Sequence, residues 1–228
     1  MQNIDVIILS NTTNLELYGI TQRTINTLKW SEPNIKFNTI IVESNKQLYD
    51  QGCVYHDCTT IIPTEDFSYN KFLNHGLKYC SNDWIIIANN DLIFTQNWLT
   101  KLFKYRTDEL SLSPWEPVWH PRRGMLPNVD KYTGYRTSFE ITGWCLIMHK
   151  DVVNMCSLFD PQFDFWYQDN DYAFTLEKHN IKHSLITRSK VHHMISASHN
   201  LIEPSKRIEM TNGQLKRLQD KWKDKNAT

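Results

Sequence analysis

Along the first hundred positions, apolar residues fall into short runs separated by polar stretches. Ile4–Ser10 (IDVIILS), Phe37–Val42 (FNTIIV), Thr59–Ile62 and Ile85–Ala88 are rich in β-branched residues and read as strands. Continuous apolar runs of this kind predict burial on both faces of a sheet. Between them, Thr21–Leu28 and Tyr69–Cys80 read as helices, the second with Phe72, Leu73, Leu77 and Cys80 at helical spacing. Asn97–Tyr105 reads as another helix. Alternating strands and helices predict an α/β fold with a mostly parallel central sheet flanked by helices. Three of the strands end in polar residues: Ser10-Asn11-Thr12, Glu43-Ser44-Asn45 and Asn89-Asn90-Asp91. The carboxyl ends of such strands form the edge where open α/β sheets bind ligands. A carboxylate there, beside two amides, suits a divalent metal and a phosphate-bearing ligand. A plain strand followed by an Asn/Asp turn accounts for the same three residues.

The pattern changes at residue 111. Ser111–Arg136 holds Pro114, Pro117, Pro121 and Pro127 among Trp115, Trp119, Tyr132 and Tyr135, with Arg122, Arg123, Lys131 and Arg136. That proline density predicts a long loop, mobile without ligand and ordered over it. Glu140–Met148 restores strand character, and Lys150–Cys156 reads as a short helix. Asp169 and Asp171 then stand before an amphipathic helix whose apolar positions include Tyr172, Phe174 and Leu176. Asp171 suits its N-cap, and Asn180 its left-handed end. With Phe163, Phe165, Trp166 and Tyr167 nearby, the same acids describe a carboxylate base in a semi-apolar cleft. His192 and His193 follow a presumed strand, where adjacent side chains face opposite ways and only one can enter a given site. From Ser205 onward, Leu215, Leu218 and Trp222 at i, i+3 and i+7 predict an amphipathic helix laid on the domain, its lysines a solvated face.

Composition narrows the partners. The 228 residues carry no formal net charge, which removes any global electrostatic case for nucleic acid or anionic membrane but leaves a local basic patch open. The five cysteines are odd in number and lack zinc-finger spacing, so reduced thiols in a cytoplasmic protein are expected. No apolar run approaches the ~18 residues of a membrane span.

In order and spacing these segments resemble the family 2 inverting glycosyltransferases of the GT-A fold. VIILS and IIVESN resemble the family's first two nucleotide-binding strands, and YNKFLNHGLKYCSNDWIIIANND its Asn-x-Gly helix and the strand ending in the metal-binding motif. Asn-Asn-Asp resembles the variant of that motif found in rhamnosyltransferase-like members. TGWCLIMHKDVV resembles the acceptor-side strand, FDPQFDFWYQDNDYAFTLEKHN the Glu-Asp segment, and KVHHMISAS the strand ending in a metal-binding histidine and a later serine. The sequence departs from the pattern at Gln168, where the family has Glu, and at Thr175, where it has Arg.

The resemblance implies a single domain. Residues 1–110 would bind the nucleotide sugar, 111–202 would form the acceptor and catalytic half, and 203–228 a C-terminal helix and tail. It places Ser10, Asn11, Thr12, Glu43, Asn74, Asn89 and Asn90 on the nucleotide sugar, and Asp91 and His193 on a metal. The mixed oxygen/imidazole pair favours Mn²⁺ over Mg²⁺. Asp169 would be the general base, and Trp115, Trp119, Arg122, Arg123, Gly143, Trp144 and Asp171 would face the acceptor. The implied reaction moves a sugar from a UDP or dTDP donor to an acceptor hydroxyl on a glycan. A hydroxymethylated pyrimidine in DNA is the alternative acceptor, because the aromatic and basic residues of 111–136 suit base stacking beside phosphate. A catalytically silent sugar- or nucleotide-binding module is the remaining alternative.

Overall fold

Strands β1 (Gln2–Ser10), β2 (Ile35–Glu43), β3 (Thr59–Ile61) and β4 (Trp84–Asn89) form parallel ladders in the order β3-β2-β1-β4. The continuous apolar runs are explained by what covers each face. In β1, Val6 and Ile8 join the core cluster beneath α1 (Leu15–Ser31) and α3 (Trp98–Tyr105), while Ile7 points into the opposite cluster with Phe72 and Leu73 of α2 (Tyr69–Leu77). β4 divides the same way, Ile86 and Ala88 against Ile85 and Ile87. Helix α2 packs so close to β1 that a Cβ on Gly76 would lie 2.7 Å from the Ile7 side chain, so only glycine fits this contact. The computed structural model describes residues 2–156, 159–194 and 204–223.

Beyond β4 the sheet becomes mixed. β5 (Leu92–Phe94) follows the Asn90-Asp91 turn, and β8 (Cys145–His149) pairs antiparallel with β4 and with β6 (Ser111–Trp115). β9 (His183–His193) runs parallel to β6 and antiparallel to β5 and to β7 (Lys131–Thr133). The resulting nine-stranded sheet, in the order β3-β2-β1-β4-β8-β6-β9-β5 with β7 on β9, is flanked by helices on both faces. It joins both halves of the chain in one α/β domain. Among the described residues no helix is long and apolar enough to cross a membrane, and the five cysteines are free.

Three expectations need correction. Ser111–Trp115 is a buried strand rather than the start of a loop, and Trp115 is only 1% exposed. Pro114 is tolerated because the β6–β9 register shifts between Pro114 and Trp115. The remainder of 111–136 also contains the short helix α4 (Trp119–Arg122) and β7. The strand expected from Glu140 begins only at Cys145, leaving Glu140–Trp144 as an approach segment with a single bridge between Thr137 and Ile141. Finally, α6 (Gln168–Lys178) starts before both acids, so Asp169 and Asp171 lie in its first turn and Asp171 is not its N-cap. The helix end is as expected: Asn180 has φ 54°, and the Ile181 N–H donates to the Leu176 carbonyl at 2.9 Å. Short helix α5 (Lys150–Cys156) also lies where the pattern placed it, and α7 (Pro204–Lys221) closes the described chain.

Candidate functional site

Parallel pairing aligns the ends of β1, β2 and β4, setting Ser10 opposite Glu43 and Leu9 opposite Asn89. Around Ser10 lies a dense polar cluster. Its hydroxyl contacts those of Thr12 (3.2 Å), Thr21 (3.3 Å) and Tyr55 (3.1 Å). Glu43, expected on the nucleoside, is fully buried and accepts from the backbone N–H of Thr12 (3.0 Å) and Asn45 (2.7 Å) and from the Tyr55 hydroxyl (3.2 Å). It therefore builds the floor of this edge from below. Thr12 is likewise buried, and of the three residues expected here beside Glu43 only Asn11 is exposed.

The next turn is fixed by α1. Thr24 Oγ1 lies 2.7 and 2.9 Å from the carbonyls of Asn90 and Leu92 and accepts the Leu92 N–H at 3.0 Å, while the Asn90 amide donates to Thr21 at 2.9 Å. Sequence reading missed these threonines. Their signal was two hydroxyl residues on the buried face of α1 shared with Leu17, Ile25 and Leu28. The β5–β9 pairing then sets Leu92 opposite His193, and the Met194 N–H donates to the Asp91 carbonyl at 2.9 Å. His193 Nε2 consequently sits 3.1 Å from Asp91 Oδ1, with the Asn89 amide 3.5 Å from the same ring nitrogen. His192 faces the other way, 4.0 Å from Glu116.

The Asp91–His193 geometry fits a divalent ion. Two ligands bound side by side at ~2.1 Å lie about 3 Å apart, close to the observed separation. Among the described residues no group of three or more His, Cys, Asp or Glu is gathered, so the protein offers an open pair rather than a closed cage. The serine expected beyond His193 lies outside the described residues.

Gly143 and Trp144 connect this pair to Asp169. The Trp144 carbonyl accepts the Asn89 N–H at 2.9 Å, and its indole stacks on His193 with centroids 5.8 Å apart. One residue earlier, a Cβ on Gly143 would meet the Asp169 side chain at 3.5 Å. Asp169 lines a narrow cleft of about 20 Å³ with Tyr69, Asn70, Leu146, Phe159 and Gln168. Burial in these apolar and aromatic surroundings raises its pKa above the usual carboxylate value, partly offset by the Asn170 N–H donated to it at 2.9 Å. Tyr69 is also raised, first by burial and then by the charge of Asp169.

Several expected contacts have other uses. The Asn74 amide, assigned to the nucleotide sugar, donates to the Phe159 carbonyl at 2.9 Å and ties α2 to the segment leading into α6. Trp115, assigned to the acceptor, is core, stacked on buried His120 at 4.7 Å. Trp119 is half-buried, donates to the Ser138 carbonyl at 3.1 Å and carries the Arg123 guanidinium 4.5 Å from its ring centre. Arg122 and Arg123 are exposed. Asp171, also assigned to the acceptor, is 4% exposed and held by Trp222 Nε1 at 2.8 Å and Lys221 Nζ at 2.9 Å. Lys221, though exposed, is thus ion-paired rather than only solvated.

Residues 22–111 match the model of Glycosyl transferase family 2. The matched segment runs from α1 to the first residue of β6 and includes the Asn89-Asn90-Asp91 edge; Asp169 and His193 lie beyond it. It supports glycosyltransferase activity, with a nucleotide-sugar donor and an acceptor, for an α/β domain of this kind. No curated protein matches the chain.

Proposed function

We propose that the protein is an inverting, metal-dependent glycosyltransferase that moves a sugar from a UDP or dTDP donor to a saccharide hydroxyl. The observation that carries this reading is the pairing of Asp91 and His193 at the strand edge, joined through Gly143-Trp144 to a half-buried aspartate with a raised pKa. Asp91 and His193 would hold Mn²⁺ or Mg²⁺, which when bound neutralises charge gathering on the departing diphosphate. Asn11, Asn89 and Asn90 line the donor edge, and the buried Ser10–Thr12–Glu43–Tyr55 cluster fixes its floor. Asp169 takes the proton of the acceptor hydroxyl as that oxygen attacks the anomeric carbon, opposite the departing diphosphate. A single displacement of this kind inverts the anomeric configuration.

A saccharide is favoured over modified DNA by the electrostatics of 111–136. Lys131 is paired with Glu109, Arg136 with Glu140, and Arg123 lies on Trp119, so most of the cations that could meet phosphates are already engaged. The test is UDP or dTDP release from a panel of nucleotide sugars with Mn²⁺ or with chelator, followed by assignment of the product anomer by NMR. Metal-independent release or a retained anomer would reject this mechanism. Transfer to hydroxymethylated DNA but not to saccharides would reject the acceptor.

A further inference from the structure

Helix α6 begins without a cap of its own. Tyr167 precedes it in the left-handed region at φ 62° and its side chain makes no cap bond, so the side-chain bond within the first turn is the Asn170 N–H donated to Asp169. A non-glycine residue holds that conformation only where its surroundings impose it. The C-terminal helix α7 supplies those surroundings. Gln214, 4% exposed, accepts the N–H groups of Phe165 (3.2 Å) and Trp166 (2.9 Å) through Oε1, and so captures the backbone just before Tyr167. One turn later Arg217 donates to the Gln162 carbonyl at 2.7 Å. Lys221 bridges Asp160 (2.7 Å) and Asp171 (2.9 Å), spanning the approach segment and the first turn of α6. Trp222 adds its indole N–H to the same Asp171 carboxylate at 2.8 Å and rests edge-on against Phe174 at 5.6 Å. These contacts enclose, from both sides in sequence, the segment 167–170 that carries Asp169.

We propose that α7 is a positioning strap for Asp169, acting through Gln214, Lys221 and Trp222 on the approach segment and first turn of α6. The proposal rests on the reading of Asp169 as general base. None of the three strap residues needs to touch substrate. Their role is to set where the Asp169 carboxylate points relative to Gly143 and the Asp91–His193 pair.

The test uses the full chain, Mn²⁺ and whichever UDP- or dTDP-hexose the wild-type protein hydrolyses fastest, with water standing in for the acceptor. Lys221→Met and Trp222→Phe, singly and together, are compared with Lys221→Arg, which can still bridge two carboxylates, and with Asp169→Asn. Folded fraction is taken from circular dichroism and donor-binding stoichiometry, and rates are expressed per folded molecule. The expected result is a loss of kcat of about tenfold to a hundredfold in the double variant, the scale of a catalytic group misplaced by an ångström. Donor KM should stay unchanged, and Lys221→Arg should recover most of the loss. In an Asp169→Asn background the strap changes should have no further effect, because they act only through that carboxylate. A wild-type rate in the double variant would overturn the strap alone. So would an equal loss with and without Asp169, which would mark α7 as general support. A near-wild-type rate in Asp169→Asn would overturn the base assignment, and the strap with it.

Discussion

Asp169 is the residue on which the chemistry turns. Asp169→Asn keeps the size of the side chain and its hydrogen bond from Asn170 but cannot accept a proton. Turnover should fall by ~10²–10⁴, with donor affinity nearly unchanged. Burial raises the carboxyl pKa, so the acid limb of the pH–rate profile should lie above the ordinary aspartate range, rate being lost as pH falls through the raised value. A limb in the ordinary range, or near-normal turnover in Asp169→Asn, would remove the residue from the reaction. The histidines divide the metal question. His193→Ala should weaken Mn²⁺-dependent UDP binding in calorimetry, whereas His192→Ala should not, since only His193 reaches Asp91. Reversed outcomes would place the ion elsewhere.

At the scale of elements, the helix carrying Asp169 is fixed from behind as well as from α7. The Tyr172 hydroxyl meets Ser111 Oγ at 2.6 Å, Ser111 meets His183 Nδ1 at 2.7 Å, and His183 Nε2 meets the Glu140 carbonyl at 2.9 Å. One assignment satisfies every group: Tyr172 donates to Ser111, Ser111 to Nδ1, and Nε2–H to the carbonyl. His183 must then be neutral, and burial brings its pKa down from 6.5 to about 4. Between these values the unfolded chain binds more protons than the folded one, so stability rises with pH and is lost as pH falls from 6.5 through 4. The full shift corresponds to a few kcal/mol, on the order of 3. Urea titrations between these pH values should show this slope, and His183→Gln should flatten it. Buried His120, also lowered to about 4 by burial, adds a slope of the same sign that His183→Gln leaves in place. An unchanged slope in His183→Gln would show that the network holds no neutral histidine.

Across the whole molecule, residues 111–136 behave as two kinds of structure. Ser111–Trp115 is enclosed between β8 and β9, whereas Pro121–Asp130 is exposed except at Met125. Hydrogen exchange without ligand should therefore show strong protection over 111–115 and fast exchange over most of 121–130. Nucleotide and acceptor should slow only the second segment. Uniform fast exchange from 111 onward would restore the long mobile loop that the proline count suggested.

The apolar runs by themselves determined the first half of the sheet. Ile85–Ala88 and its companions are too short and too apolar for anything but strands covered on both faces, and their polar ends marked the ligand edge. The alternation rule also limited any one site to a single histidine of the pair, because it depends only on backbone geometry, and the resemblance named His193. What local pattern could not reach was pairing over long separations. Pro114 and Trp115 looked like a loop because proline lacks an N–H, yet the register shift against β9 removes that objection. Glu43 looked like a ligand contact because the resemblance places it where the family's second strand carries an acid to the nucleoside. Only the fold brings Thr12, Asn45 and Tyr55 around it to bury it at low cost. Asp171 looked like a cap because Asp favours helix starts, but α6 begins at Gln168 and its carboxylate meets Lys221 and Trp222, fifty residues away. Strands and faces follow from neighbouring residues. The partners of a buried charge follow from which distant segments the core draws together, and the tertiary structure decided those.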